Sequence, residues 1–253
     1  MKKNKKDLQA LWAPIVFLVI IVSAMEFFLD MTGIPKNILP KPSHIAVSTA
    51  ESFVKDILPY FLATVRYTLT GICIAIPLGI LAASLFSQFR ILVKAMTPYL
   101  ILLVVTPMIT MIPLLKLWMG LNPNIRIVSI VILAAPIIAL NTLNGFINIE
   151  SSKIEVMRSL GASRLQIFMK AVFPNALPQV FTGIKLGCIF GTLAAVAADF
   201  VLQGQGIGVR ILQYSRYLLT DKIFGCIVLL AIIGYSLFML VSYIEKKVIV
   251  WKI

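Results

Sequence analysis

Charge is scarce in this sequence. Only 13% of its 253 residues are Asp, Glu, Lys or Arg, while 60% are apolar. Soluble domains carry about 25% charged and about 45–50% apolar residues. A chain of this make-up cannot cover a water-facing surface with polar groups, and a bilayer is the solvent that suits it. Histidine and cysteine are nearly absent as well. His44 follows Pro42 and Ser43 in a loop with no Cys or acidic cluster beside it, so it offers no metal or catalytic constellation. The three cysteines, Cys73, Cys188 and Cys226, lie in separate apolar runs with no CxxC or metal-ligand spacing. They read as small hydrophobes inside helices. A G-x-x-x-x-G-K-[ST] phosphate loop is also missing, which excludes a P-loop ATPase within this chain. Gly204, Gly206 and Gly208 echo a nucleotide-binding glycine run, but they follow an apolar run without a βαβ unit and read as a flexible turn. An intramembrane enzyme would need a nucleophile–base pair or a metal set, and one His with few mid-span acids supplies neither.

The charge that is present has one sign in excess, a net +13. The basic residues sit between apolar runs and not along one face, which argues for membrane orientation and lipid headgroups and against nucleic acid. A helix needs about 20 apolar residues to cross the hydrocarbon core. Six segments meet or approach that length: Leu11–Phe28, Thr64–Phe86, Lys94–Lys116 with Pro98, Pro107 and Pro113, Ile127–Leu143 with Pro136, Gln179–Leu202 and Ile223–Ile244. Backbone polar groups in lipid must be satisfied internally, so these are helices. The first run has a basic flank like a signal peptide, but its length, Glu26 and the lack of a small-residue cleavage site favour a retained span.

Orientation follows from where Lys and Arg fall. With the amino terminus inside, Lys2, Lys3, Lys5, Lys6, Arg90, Lys94, Lys153, Arg158, Arg164, Lys170, Lys246, Lys247 and Lys252 are cytoplasmic. Lys36, Lys41, Lys55, Lys116, Arg126, Arg210, Arg216 and Lys222 are outside. That bias places both termini in the cytoplasm.

Two connections are too long for plain turns. In the outer one, Asp30–Ala63, Ser43 reads as the N-cap of a short helix with Ile45, Thr49, Phe53 and Ile57 on one face, lying on the membrane or against other helices. In the inner one, about 144–178, Ile154, Met157 and Leu160 precede Gly161, and Leu165, Phe168 and Val172 follow it before Pro174 and Pro178. This is an amphipathic helix, a Gly turn, a second amphipathic helix and a Pro stop. Such a hairpin can dock a partner or rest on lipid, and the residues alone fit both.

Polar groups inside the bilayer are costly and mark functional candidates. Glu26 and Asp199 fall near outer span ends, and Lys185 near the inner start of the fifth span can snorkel. Thr106, Thr110, Ser129 and Asn141 are candidate pathway-lining residues, with Pro107 and Pro113 bending the span beside them.

The segment from Glu155 through Gly161 to Phe173-Pro174 resembles the EAA loop of binding-protein-dependent ABC permeases, Glu-Ala-Ala, three residues, Gly, nine residues, Ile-x-Leu-Pro. Glu155, Gly161 and Pro174 match. Val156 and Met157 replace the alanines, Ala171 the Ile and Phe173 the Leu. Leu39-Pro40-Lys41-Pro42-Ser43, Ala139–Gly145 and Gly204-Gln205-Gly206-Ile207-Gly208 extend the likeness to the nitrate/taurine/sulfonate-type subgroup.

The resemblance implies an all-α polytopic membrane protein of about six transmembrane helices, like an ABC importer type I permease, with a cytoplasmic coupling-helix hairpin. Residues 1–10 would be a cytoplasmic tail and 11–253 a single permease domain in the cell membrane. Glu155, Arg158, Leu160, Gly161, Ala162 and Ser163 would meet an ABC ATPase. Two such ATPases would hold ATP and Mg, and this chain would bind no cofactor. An extracytoplasmic binding protein, a second permease copy forming a homodimer, and lipid complete the expected partners. The substrate implied is a small anion such as nitrate, a sulfonate, taurine or bicarbonate, with a vitamin or vitamin precursor as the alternative. The competing class, an ion-coupled secondary transporter, would favour mid-span acids and an inverted repeat, and neither is visible.

Overall fold

The computed structural model describes residues 5–250, with side chains from Trp12 onward. Lys2, Lys3 and Lys252 of the orientation argument lie outside the described residues, as does the start of the expected tail, while residues 5–10 open the first helix. Every regular element among the described residues is helical. Five stretches are long and apolar enough to cross a bilayer: Trp12–Thr32, Pro42–Ser87, Ile125–Ile147, Arg164–Leu202 and Thr220–Val248.

The helices are α1 (Lys5–Thr32), α2 (Pro42–Ser52), α3 (Leu58–Ser87), α4 (Arg90–Val105), α5 (Met108–Met119), α6 (Ile125–Ile147), α7 (Ser151–Ser159), α8 (Arg164–Ile167), α9 (Phe173–Leu202), α10 (Ile207–Arg216) and α11 (Thr220–Val248). Three expectations need correction. The single bent span at Lys94–Lys116 is two helices, α4 and α5, meeting at 95°. Thr106 is extended (φ −63°, ψ 121°) because Pro107 disfavours helical geometry in the residue before it. The connection expected outside is mostly helix, and Lys41, not Ser43, precedes its first turn, with Pro42 at the first helical position. His44 therefore lies in α2 and not in a loop. Finally, Pro174 does not stop a helix. A π-turn over Phe168–Val172 joins α8 to α9, with Phe173 N–H donating to Phe168 O. The wider turn spares the bond that the Pro174 nitrogen cannot make. A second π-turn, Phe53–Ile57, joins α2 to α3 immediately before Pro59 in the same way.

The chain forms two compact units. In the unit of Pro59–Val209 and Leu229 onward, α6 packs between α3 and α9. Its span is 56% buried, so α6 belongs to the core of this unit. Small residues at four-residue spacing make this possible: Gly71, Ala75, Gly79 and Ala83 on α3, and Gly183, Gly187 and Gly191 on α9. Side chains of α6 fill the space. A Cβ at Gly79 would stand 2.7 Å from Ala135 O, and one at Gly187 3.0 Å from Ile138 Cδ1. Lipid gives helices no hydrophobic reason to associate, so this close approach supplies the van der Waals contact that holds them. A smaller core of Ala83, Leu143, Phe146 and Ala176, with Phe168 and Phe173 against it, seats the α8–α9 junction. Lys185 pairs with Glu245 of α11 at 2.9 Å. The expected snorkelling lysine is a helix–helix tie.

The unit made of the chain up to Leu58 and of Arg210–Val228 is held by polar contacts. Glu26 accepts from Ser43 N and Oγ at 3.1 and 2.6 Å, and Lys41 pairs with Asp30. Asp56 pairs with Arg210 and accepts from the Tyr214 hydroxyl at 2.6 Å. Ile45 and Thr49 of α2 and Phe53 and Ile57 of the π-turn after it are at least partly buried, as their spacing predicts. Among the cysteines, Cys188 and Cys226 are buried, but Cys73 is exposed on α3.

Candidate functional site

The hairpin between α6 and α9 is built from local signals. α7 ends in a Schellman motif: Ala162 N–H donates to Met157 O at 3.0 Å and Gly161 N–H to Arg158 O at 2.9 Å. Gly161 has φ +76°, where a Cβ is unfavourable, and open space around it. Two residues later Ser163 caps α8. Its Oγ accepts from Gln166 N and Gln166 Oε1 accepts from Ser163 N, a full capping box. The turn is therefore fixed at Leu160–Ser163, four of the residues expected to meet an ATPase.

The hairpin's apolar residues divide differently from the sequence reading. Ile154, Met157, Phe168 and Val172 turn inward to varying degrees, but Leu160 and Leu165 are 77% and 71% exposed. Val156 and Met169 are exposed too, and a groove lined by Lys153, Val156, Met157, Lys170 and Pro174 runs between the arms. Glu155 and Arg158 are exposed on α7, and Ala162 is half-buried. Burial of the hairpin base against Phe146, with ring centroids 5.2 Å from Phe168 and 6.2 Å from Phe173, leaves the tip free to meet something else.

Residues Arg164–Leu202 run as one helical stretch of 39 residues, about 58 Å long at 1.5 Å per residue. Its far end carries a polar cluster that sequence reasoning missed. Arg126, expected in an outer loop, lies in the first turn of α6, where Nε donates to Asp199 Oδ1 at 2.6 Å and Nη2 to Gln203 O at 2.9 Å. Both charged residues are buried, at 4% and 1% exposure. Asp199 Oδ2 accepts from Gly208 N at 3.2 Å, and Thr64 Oγ1 from Ile207 N at 2.9 Å. The glycine run is thus a pinned turn and not a flexible one. Gly206 lies so close to the Asp199 carboxyl, and Gly208 to Asp199 Cβ, that neither has room for a Cβ. Partners 73 positions apart carry no sequence signal of their pairing.

The four pathway candidates do not form one cluster. Thr106 and Thr110 flank the α4–α5 break, their hydroxyls donating to Leu102 O and Pro107 O. Asn141 is half-buried on α6, donating to Ile137 O and packed beside Gly183. Ser129 is fully buried in the core. It lies three helical turns from Asn141, about 18 Å.

Comparison with known proteins agrees with this architecture. Residues 75–250 match the family of binding-protein-dependent transport system inner membrane components. The chain is 25% identical to a formylaminopyrimidine transport permease of Halalkalibacterium halodurans, covering 98% of both chains. It is 28% identical to the taurine transport system permease of Escherichia coli over 57% of this chain and 53% of that one, so it spans about half of that relative. A putative aliphatic sulfonates transport permease of Bacillus subtilis is 24% identical over 92% of this chain and 85% of that protein. Among solved structures, the inward-facing MetNI methionine ABC transporter superposes with a TM-score of 0.60 at 24% identity, over 77% of this chain and 95% of that one. That likeness speaks for the fold. An all-helical chain with five or six membrane-crossing helices, matched over most of its length by one transport family, belongs to the binding-protein-dependent ABC permeases.

Proposed function

We propose that this permease carries a small anion across the membrane and is driven by a separate ATPase that grips the hairpin Glu155–Pro174. The observation that carries the proposal is the capped, Gly-turned hairpin with its exposed apolar tip at Leu160 and Leu165. A helix resting on lipid needs no such fixed turn. A partner that must pull on it does, because a frayed handle would absorb the movement. Glu155, Arg158, Gly161, Ala162 and Ser163 frame that tip. ATP and its Mg ion are held by two ATPase subunits and none by this chain. A second copy of the permease completes the pathway, to which Thr106, Thr110 and Asn141 contribute, and an extracytoplasmic binding protein delivers the substrate. Both termini, with the hairpin, face the cytoplasm. Membership of the ABC permease family replaces the ion-coupled reading.

The taurine and sulfonate relatives support a small anion as substrate. A vitamin precursor is the second reading, favoured by the full-length match to the formylaminopyrimidine permease. Binding of taurine, an alkanesulfonate, nitrate and formylaminopyrimidine to the partner binding protein separates the two.

Docking is tested by co-purification from detergent-solubilised membranes. The native chain is expected to bring down a soluble ATPase. Gly161→Val places a β-branched residue at positive φ, at a cost of about 1–2 kcal/mol or more, and is expected to lose the ATPase while the membrane helices keep their melting temperature. Gly161→Asn, which tolerates this conformation, is expected to keep it. Full association of the Val variant would contradict docking through this turn.

A further inference from the structure

We infer that the Arg126–Asp199 pair is a latch that holds shut the end of the permease remote from the hairpin, and that its release carries the movement of α9 to that end. The inference rests on the docking reading above, since it takes the ATPase to move the hairpin end of the same helix.

Stability alone does not account for this pair. Both side chains are withdrawn from solvent, and an apolar pair of similar volume commonly packs as well as a buried ion pair or better. What the pair adds is direction. Arg126 stands at the start of α6 and Asp199 at the end of α9, so a tilt of one helix on the other shears their contact.

The other bonds of the cluster converge on the short turn 203–208. Arg126 holds the Gln203 carbonyl, Asp199 the Gly208 amide and Thr64 the Ile207 amide. Gln203 itself has φ 55° and ψ 171°, a region that only glycine visits easily. A strained residue persists only while its surroundings enforce it. The turn therefore has a second, relaxed arrangement available once the latch opens.

The turn also shapes a cleft. Tyr67, Asn122, Arg126, Gln203 and Gln205 line a concavity of about 520 Å³, with the Arg126 guanidinium 5.4 Å from the Tyr67 ring centroid. Moving residues 203–205 opens or closes this cleft. One helical stretch from Arg164 to Leu202, carrying the π-turn at Phe168–Val172, joins it to the hairpin. Rigid elements with two discrete arrangements at one end are what coupling between distant sites requires.

The test uses the permease purified with its ATPase and reconstituted in liposomes. Cys73, Cys188 and Cys226 are replaced by Ala, and exposed Gln205 is changed to Cys as a reporter for a membrane-impermeant maleimide. In the otherwise native chain, labelling is expected to be several-fold faster with ATP and vanadate than without nucleotide. Asp199→Asn is expected to label at the fast rate in both states while the ATPase still co-purifies. Retention of the native rate difference in Asp199→Asn would overturn the latch. Should that variant not fold, Thr64→Val removes the Ile207 partner without touching a charge and is expected to narrow the difference. An unchanged difference in Thr64→Val overturns the latch as well. If the native reporter ignores nucleotide while the ATPase stays bound, the latch falls and docking stands. If no ATPase is bound, the docking reading falls and takes the latch with it.

Discussion

Ile138 occupies the space that glycines leave open on both neighbouring helices. It meets Gly79 of α3 and Gly183 and Gly187 of α9, and it is fully buried. The consequences of adding one methyl group differ by site. At Gly79 the obstacle is the Ala135 backbone carbonyl, which cannot turn aside, whereas at Gly187 it is the end of the Ile138 side chain, which can. Gly79→Ala is expected to destabilise the helix bundle by about 1–3 kcal/mol, seen as a lower melting temperature in detergent, and Gly187→Ala by less. Equal effects would show that backbone approach is not what holds α3 to α6. The Lys185–Glu245 tie gives a second residue-scale prediction. Its side chains are 18% and 21% exposed, so screening tempers the cost of leaving one charge unpaired. Lys185→Met is expected to cost about 1–2 kcal/mol, and Lys185→Met with Glu245→Leu to recover most of it. A double variant as unstable as the single one would remove the pairing from the account.

At the scale of elements, what could be read in the sequence was what is local. The apolar runs placed the spans, and Gly161 placed the hairpin turn. The S-x-x-Q signal at Ser163–Gln166 was equally local and marks the cap. Ser163→Ala removes that cap, worth about 1 kcal/mol. Hydrogen exchange at Gln166 and Ile167 is then expected to quicken roughly fivefold, with α9 unaffected. No change there would mean that the capping box does not hold the turn. The small-residue stripes on α3 and α9 carry a local signal too, the four-residue interface spacing of membrane helices, which sequence reasoning missed. Elsewhere local rules misled. Pro174 ends a helix only if the backbone cannot re-form its bonds, and the π-turn at Phe168–Val172 re-forms them. Pro107 was expected to bend a span, and with Thr106 extended before it the break reaches 95°. The Arg126–Asp199 pair and the turn it pins depend on helices meeting across 73 positions, which no window of sequence contains.

At the scale of the whole molecule, α1 is 6% buried over its membrane window and presents Phe17, Leu18, Val19 and Ile20 outward. In the proposed assembly a second copy of the chain shares the pathway, and native mass spectrometry of the intact complex is expected to show two permease chains with two ATPase chains. A single permease chain in an active complex would contradict the dimer. In the proposed assembly a partner ATPase grips the tip of the hairpin. A photo-cross-linking amino acid in place of Leu160, which is 77% exposed, tests it in intact cells. An ultraviolet-dependent adduct with an ABC ATPase, lost in Gly161→Val, is expected. An adduct only with lipid or with extracytoplasmic protein would contradict it.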